Sequence, residues 1–373
     1  MSNNSLIIAG FMSCTSMDGL DCCISQINID SNWDFKYKII SSESFKFTHK
    51  VKNKIRRYIG AIDHAQIKEI DDFLGRVYLD LSKNFLLEHS FDAIAIHGQT
   101  IHHSDKKRSI QVGCPSDLAS FFKVPVICQF RKKDILSNGN GAPLMPFLDW
   151  LLFKNGKKNI ATLNIGGISN LSFIPKNSLK KEVLGFDAGP GMSLIDEYVR
   201  KIWRKDCDYN GEYSLNGKIN SDLLSFLVSK SSGFIFKKPP KSTGREEFGI
   251  AFLEQILDNF KYLKQNDILR TLIKFTSLSL QLNLNNFIKE QYDIDALVVS
   301  GGGAKHPILM DDIKKDLDVP ILNIINYGIE SQIKESLLIS VLGYAKMRNI
   351  KSNMPSVTGA IKNIVLGEIY EFK

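Results

Sequence analysis

Long hydrophobic runs are missing from this sequence of 373 residues. No apolar stretch approaches the ~18 residues that a membrane-spanning helix needs. Cysteine is scarce as well. The six cysteines, at positions 14, 22, 23, 114, 128 and 207, include one adjacent pair and no CxxC. That argues against a disulfide framework and a zinc site, and reduced, mostly buried thiols are expected. There is neither GxxxxGK[ST] nor a GxGxxG between strand and helix, so the P-loop and Rossmann readings are poor. No basic residue precedes the apolar stretch from Leu6 to Met12, where a signal peptide would carry its charge, and a cytoplasmic protein is the expectation. A concentrated basic patch is lacking too. The net charge is +8, yet the lysines are scattered, in doublets such as Lys106-Lys107, Lys132-Lys133, Lys157-Lys158 and Lys237-Lys238. The surplus reads as lysine-rich surface with a modest attraction for phosphorylated ligands, and neither nucleic acid nor membrane is an expected partner.

What is present alternates between strand and helix patterns, which points to α/β architecture, and the length suits two domains. Leu6–Met12 reads as a short strand, Ser13 to Gly19 as a small-residue turn, and Cys22–Ile29 as the returning strand. Ile67, Ile70, Leu74, Val77, Leu81 and Phe85 recur at helical spacing, followed by a buried-strand run Ala93-Ile94-Ala95-Ile96. The second half opens in the same way: Ile160–Ile165 is apolar, Gly166-Gly167 begins a turn, and Leu171–Ile174 resumes the strand. Helices are expected over Met192–Trp203, around Leu269–Lys289 and near Ile333–Met347, with a strand at Ala296–Val299. Two similar hairpins roughly 150 residues apart suggest an internal duplication, far longer in period than a solenoid repeat. We therefore expect two related lobes facing each other across a cleft: residues 1–135 plus about 350–373, and residues 136–349.

Several segments carry chemistry. Ser13 to Gly19 offers hydroxyls, backbone N–H groups in a tight turn and a carboxylate at Asp18. Such a nest can cradle phosphate oxygens while the carboxylate holds Mg²⁺ directly or through water, although many hairpins use the same residues merely to turn. Gly166-Gly167 supplies a second nest, and the pair favours nucleotide binding. The strand ending in Ser300 runs into Gly301-Gly302-Gly303, where bare backbone permits close approach of a flat ligand such as adenosine; a tight strand-to-helix connection is the plainer reading. Asp187 stands at a strand end beside Gly189-Pro190-Gly191, placed either as a general base on a stiff turn or as a cap for the following helix. Arg131 could orient a carboxylate or phosphate, or pair at the surface with Asp134. The polar loop Lys241 to Glu246 is either a substrate edge or a helix start capped by Ser242 or Thr243.

In order along the chain, GFMSCTSMDGLD (10–21), HGQTIHH (97–103), FRKKDILSNGNGAPLMP (130–146), LNIGGISNLS (163–172), GFDAGPGMSLID (185–196), PPKSTGREEF (239–248) and SGGGAKHPILM (300–310) resemble the anhydro-N-acetylmuramic acid kinase family, within the sugar kinase–actin–heat-shock ATPase fold. The resemblance runs nearly end to end. It implies two lobes of actin/hexokinase type with an ATP cleft between them, and ATP and Mg²⁺ as cofactors. The implied activity opens 1,6-anhydro-N-acetylmuramic acid and phosphorylates O6 in peptidoglycan recycling, giving N-acetylmuramic acid 6-phosphate and ADP. By this resemblance Asp187 is the catalytic base, and Ser13, Cys14, Thr15, Ser16, Met17, Asp18, Gly19, Leu20, Asp21, Gly166, Gly167, Gly301, Gly302 and Gly303 surround the nucleotide, with Asp18 toward the metal. Arg131, Glu335, His97 and Gln99 are the implied sugar contacts, and a homodimer is the implied assembly. The sequence departs from the family pattern at Cys14, usually glycine, at Cys114 and Gln129, usually aspartates, and at Ala188 and Met192, usually Thr and Asn. An active kinase is the favoured reading, with a non-catalytic sugar or nucleotide sensor as the alternative motivated by Cys14. A plain glycoside hydrolase ranks last, because it wants two carboxylates flanking the bond.

Overall fold

The computed structural model describes residues 4–13, 17, 19–245 and 247–372. The chain forms two compact units, Met1–Leu152 with Gln332–Lys373, and Phe153–Ser331. No helix among the described residues is long and apolar enough to cross a membrane.

In the first unit, β1 (Leu6–Met12), β2 (Gly19–Ile29) and β3 (Phe35–Lys46) form an antiparallel meander. β4 (Ala93–Ile96) joins β1 in parallel on its other side. A separate hairpin, β5 (Gln99–Ser104) and β6 (Arg108–Val112), precedes β7 (Val126–Cys128), which joins β4 in parallel. The strand Glu368–Tyr370 closes that edge.

The period-two alternation of a strand buried on both faces explains the layers. On β1, Ala9 and Phe11 join a core with Ile70, Leu74 and Tyr78 of the helix His64–Leu87. That helix starts at Asp63, whose side chain accepts from the Gln66 amide at 3.0 Å, an ordinary N-cap. Gly10, on the opposite face, lies so close to the helix Lys334–Met347 that a Cβ there would collide with the Ser336 carbonyl and the Ser340 side chain. Gly343 meets Ala95 in the same manner. This helix, expected in the second lobe, therefore packs on β1, β2 and β4 of the first, and the chain passes between the units at 152/153 and 331/332 rather than near 135 and 350.

In the second unit, β8 (Ile160–Ile165), β9 (Ile168–Ile174) and β10 (Leu184–Pro190) form the meander, while β11 (Ala296–Ser300) and β12 (Ile321–Asn323) extend the sheet in parallel from β8. The strand order β12-β11-β8-β9-β10 repeats the order β7-β4-β1-β2-β3 of the first unit, direction for direction. The duplication suggested by two hairpins thus extends to five strands each. Leu163, Leu171, Phe186 and Val299 share one face and one hydrophobic core with the helices Ser193–Trp203, Ser221–Ile235, Ile250–Phe260 and Gln265–Leu284.

Candidate active site

The second unit assembles its polar groups at the carboxyl ends of its central parallel strands, where open α/β sheets bind ligands. Register places Ser300 opposite Asn164, Asn164 opposite Asn170, and Asn170 opposite Asp187. Four polar residues therefore form the last rung on one face of the sheet, immediately before the glycine turns. Ser300 Oγ donates to Asn164 Oδ1 at 3.2 Å, and Asn170 Nδ2 donates to Asp187 Oδ1. Asp187 Oδ2 accepts from the Thr243 amide at 2.9 Å. The carboxylate is buried, and both oxygens are oriented by donors. Its own backbone sits at an irregularity in the β9–β10 register between Asp187 and Gly189, and the Ala188 carbonyl there accepts from Ser279 Oγ at 2.6 Å and Asn283 Nδ2 at 2.9 Å. The helix that follows begins at Ser193, so Asp187 does not cap it.

That helix is pinned to the first glycine turn instead. The amides of Gly191 and Ser193 donate to the Gly167 carbonyl at 2.9 and 3.1 Å, and the Met192 amide donates to the Gly166 carbonyl at 2.9 Å. A Cβ on Gly191 would collide with the Gly166 carbonyl. Gly301 adopts φ +88°, and a Cβ there would lie 2.6 Å from the Ile165 carbonyl oxygen. A Cβ on Gly303 would meet the Ile165 side chain, whereas at Gly302 it would meet nothing within 4 Å. The Gly166-Gly167 and Gly301–Gly303 turns are therefore neighbours at the ends of β8 and β11, with open backbone at Gly302. The helix after the polar loop starts at Ile250 with Gly249 as its N-cap, so Ser242 and Thr243 do not cap it; Thr243 Oγ1 donates to Glu247 at 2.8 Å.

The first unit gathers a second set, again just past the carboxyl ends of parallel strands β1, β4 and β7. Ser13 Oγ donates to Gln99 Oε1 at 2.7 Å. Arg131 Nε donates to His97 Nε2 at 3.0 Å, and Arg131 Nη1 donates to the Gly141 carbonyl at 3.2 Å. Asp134 is buried and accepts from the Gly141 amide at 2.9 Å, from Thr358 Oγ1 at 2.9 Å and from Asn353 Nδ2 at 3.2 Å. Arg131 and Asp134 thus grip the two ends of one glycine residue, which is a loop-fixing arrangement rather than a surface ion pair.

His97 Nδ1 donates to the Gly98 carbonyl at 2.8 Å, leaving Nε2 as the acceptor for Arg131. Both contacts select the neutral imidazole. Burial, and then the Arg131 guanidinium, push His97 down to about 3. In the unfolded chain the ring takes a proton below about pH 6.5, so between that value and about 3 the unfolded state binds more protons and stability falls as the pH drops. Between pH 7 and pH 5 this group should cost the wild type about 2 kcal/mol that His97→Gln does not lose. Urea denaturation of both proteins at the two pH values measures it.

The remaining expected residues separate. Met17, at φ +59°, and Leu20 put their side chains into the first unit's hydrophobic core, so their backbones alone could serve a nucleotide. Gly19 lies tight against the Phe45 carbonyl of β3. Asp21 sits on β2 and accepts from Ser44 Oγ at 2.5 Å. Glu335 stands in the first turn of its helix, where a carboxylate is favoured by the helix dipole. Its neighbour Lys334 is buried in an ion pair with Asp149 at 2.7 Å. Cys14, Thr15, Ser16 and Asp18 lie outside the described residues.

The departures have local consequences. Met192 occupies the N-cap without a side-chain cap bond, which the usual Asn would be suited to make. Ala188 is fully buried in the core. Gln129 adopts φ +58°, a region that Asp and Asn tolerate better. Cys114 lies with Asp71 and Asp72 in a group close enough to share an ion among the described residues, but a thiol is a poor partner for the hard, oxygen-seeking Mg²⁺.

Sequence reasoning missed Asn164, Asn170 and Ser300 as site residues, and it read Thr243 only as part of a polar loop or as a helix cap. The first two depend on loop length: the hairpin closes with Ile165 opposite Ser169, which sets 164 opposite 170, whereas a two-residue turn on Gly166-Gly167 would have set 164 opposite 169.

A family profile described as anhydro-N-acetylmuramic acid kinase matches residues 6–372. An anhydro-N-acetylmuramic acid kinase of Clostridioides difficile is 34% identical over 374 residues, covering 96% of this chain and 97% of its own. One from Bacillus cereus is 33% identical over 382 residues, covering 98% and 99%. Among solved structures, the activator of the 2-hydroxyisocaproyl-CoA dehydratase from Clostridium difficile with bound ADPNP is similar at 12% identity and a TM-score of 0.44, covering 92% of this chain and 95% of its own, too slight a likeness to carry an argument.

Proposed function

The chain belongs to the anhydro-N-acetylmuramic acid kinase family, and on that premise we propose that it uses ATP and water to convert 1,6-anhydro-N-acetylmuramic acid into N-acetylmuramic acid 6-phosphate and ADP. In this reading Asp187 takes a proton from water as the water oxygen bonds to C1. The C1–O6 bond breaks, O6 attacks the γ-phosphorus, and the bridging oxygen leaves with ADP. The displaced O6 needs no proton, because phosphorus accepts its electron pair directly. Such a transfer asks the protein mainly for positioning and charge stabilisation.

The observation that carries the base assignment is the geometry of Asp187, a buried carboxylate fixed by the Thr243 amide and by Asn170, which stands opposite it on the strand that leaves the Gly166-Gly167 turn. That turn and Gly301–Gly303 are the proposed seats of the phosphates and adenosine, because bare backbone permits close approach there. Arg131, held by His97 and Gly141, is the proposed sugar contact, with Glu335, His97 and Gln99 beside it in the assignment; His97 and Gln99 would then act chiefly by fixing Arg131 and Ser13. Mg²⁺, when bound, supplies charge neutralisation on the transferred phosphoryl group, and Asp18, the residue expected to hold it, lies outside the described residues. The proposed setting is the cytoplasm, in peptidoglycan recycling.

The test is ADP release by purified protein with Mg-ATP, with and without the anhydro sugar. Release that depends on the sugar, with a phosphorylated sugar product, is expected. Intact binding of both ligands without product would favour the sensor instead.

A further inference from the structure

We infer that Lys241 is a positioning residue for Asp187, its buried ammonium anchoring the short segment that holds the carboxylate in place. The inference rests on the reading of Asp187 as the base. Lysine is almost never fully buried without partners, yet Lys241 is 0% exposed. Its Nζ donates to the carbonyls of Phe234 and Ile235 at 3.1 and 2.8 Å. These belong to the last turn of the helix Ser221–Ile235, where carbonyls lack intrahelical donors and the helix dipole favours a cation. Three rings wall the ammonium: Phe287 at 4.6 Å, Phe234 at 4.8 Å and Phe186 at 5.5 Å from Nζ to centroid. Each distance falls within the range of cation–π attraction.

The backbone around this lysine does something different from its side chain. The Lys241 carbonyl accepts from the Asp187 amide at 3.2 Å, and two residues later the Thr243 amide donates to Asp187 Oδ2 at 2.9 Å. One short stretch therefore grips the main chain and the carboxylate of Asp187 together. The same stretch is tied at Lys241 to a helix end, to the segment bearing Phe287, and to Phe186, the residue immediately before Asp187. Burying an ammonium is costly, and burial pushes Lys241 down to about 7, with the charge of Asp187 opposing that shift. An apolar side chain could fill the volume without this cost. It could not bind the two carbonyls that fix where residue 241 sits.

Lys241→Met, assayed beside the wild type and normalised to ATP-binding stoichiometry, tests this. A displaced donor at Thr243 misaligns the base without touching the seats of either substrate, so kcat should fall about ten-fold while KM for ATP and sugar stays within about two-fold. A purely structural lysine would lower the melting temperature and the yield of binding-competent protein but leave normalised kcat unchanged. That result, or a raised KM at unchanged kcat, overturns the inference. Should Lys241→Met fail to fold, Phe287→Leu removes one wall of the cage and leaves residues 239–245 intact. A fall in kcat of about three-fold at constant KM is then expected, and unchanged kcat is the contrary result. A wild type that never turns over the sugar would instead count against the proposed function, which keeps the two failures distinct.

Discussion

Asp187→Asn should lower kcat by about 10³-fold while the affinities for ATP and the anhydro sugar stay within about two-fold of wild type. The substitution keeps the shape of the side chain and one acceptor oxygen. It replaces the other oxygen by an NH₂ that must face a donor, either the Asn170 amide or the Thr243 N–H. The amide can no longer take a proton from water. Calorimetric titration of both ligands together with single-turnover kinetics separates the two effects. Turnover near the wild-type rate would remove Asp187 from the role of base, and loss of sugar affinity at normal kcat would make it a binding group instead.

The second large effect is expected at Gly191→Ala. The new methyl group would sit against the Gly166 carbonyl, and the Gly191, Met192 and Ser193 amides that hold the Gly166-Gly167 turn could not all keep their bonds. Overpacking of this kind costs about 1–3 kcal/mol. Spent on displacing the proposed phosphate seat, it should raise KM for ATP by up to about 100-fold. KM for the sugar, measured at saturating ATP, should change far less. An unaltered KM for ATP would argue that the turn is a structural bend and that the phosphates lie elsewhere.

How far the sequence could be read depended on whether a feature was local. β1, β4, β8 and β11 are short, mostly apolar runs bounded by polar residues or glycine, and each lies where its pattern predicts. The helices His64–Leu87 and Ser193–Trp203 follow from apolar spacing and stop within a few residues of expectation. β3 is harder to see, because its apolar residues alternate with lysines and serines on an edge strand buried on neither face. The helix Lys334–Met347 was legible as a helix but not as a partner of β1, since that pairing depends on missing side chains at Gly10 and Gly343 rather than on any pattern within the helix.

The site divides in the same way. Asp187 and the glycine turns were visible as motifs, but the donors that orient the carboxylate come from positions 170 and 243, one across the sheet and one from a distant loop. Lys241 looks like a surface lysine in a polar loop, and nothing in its neighbours announces burial among rings supplied from positions 186, 234 and 287. Met17 and Leu20 stand in the segment that the resemblance gives to the nucleotide, but nothing in that segment announces that their side chains go to the core, which leaves only their backbones for such a role.

The central claim is that one enzyme opens the sugar with water and hands the freed oxygen to phosphorus in a single site. Turnover in ¹⁸O-enriched water, followed by mass spectrometry of the fragmented product, tests it most directly. The account predicts the label on C1 of N-acetylmuramic acid 6-phosphate and none in the phosphoryl group or in ADP. Label in the phosphate, or ring opening that proceeds without ATP, would contradict it.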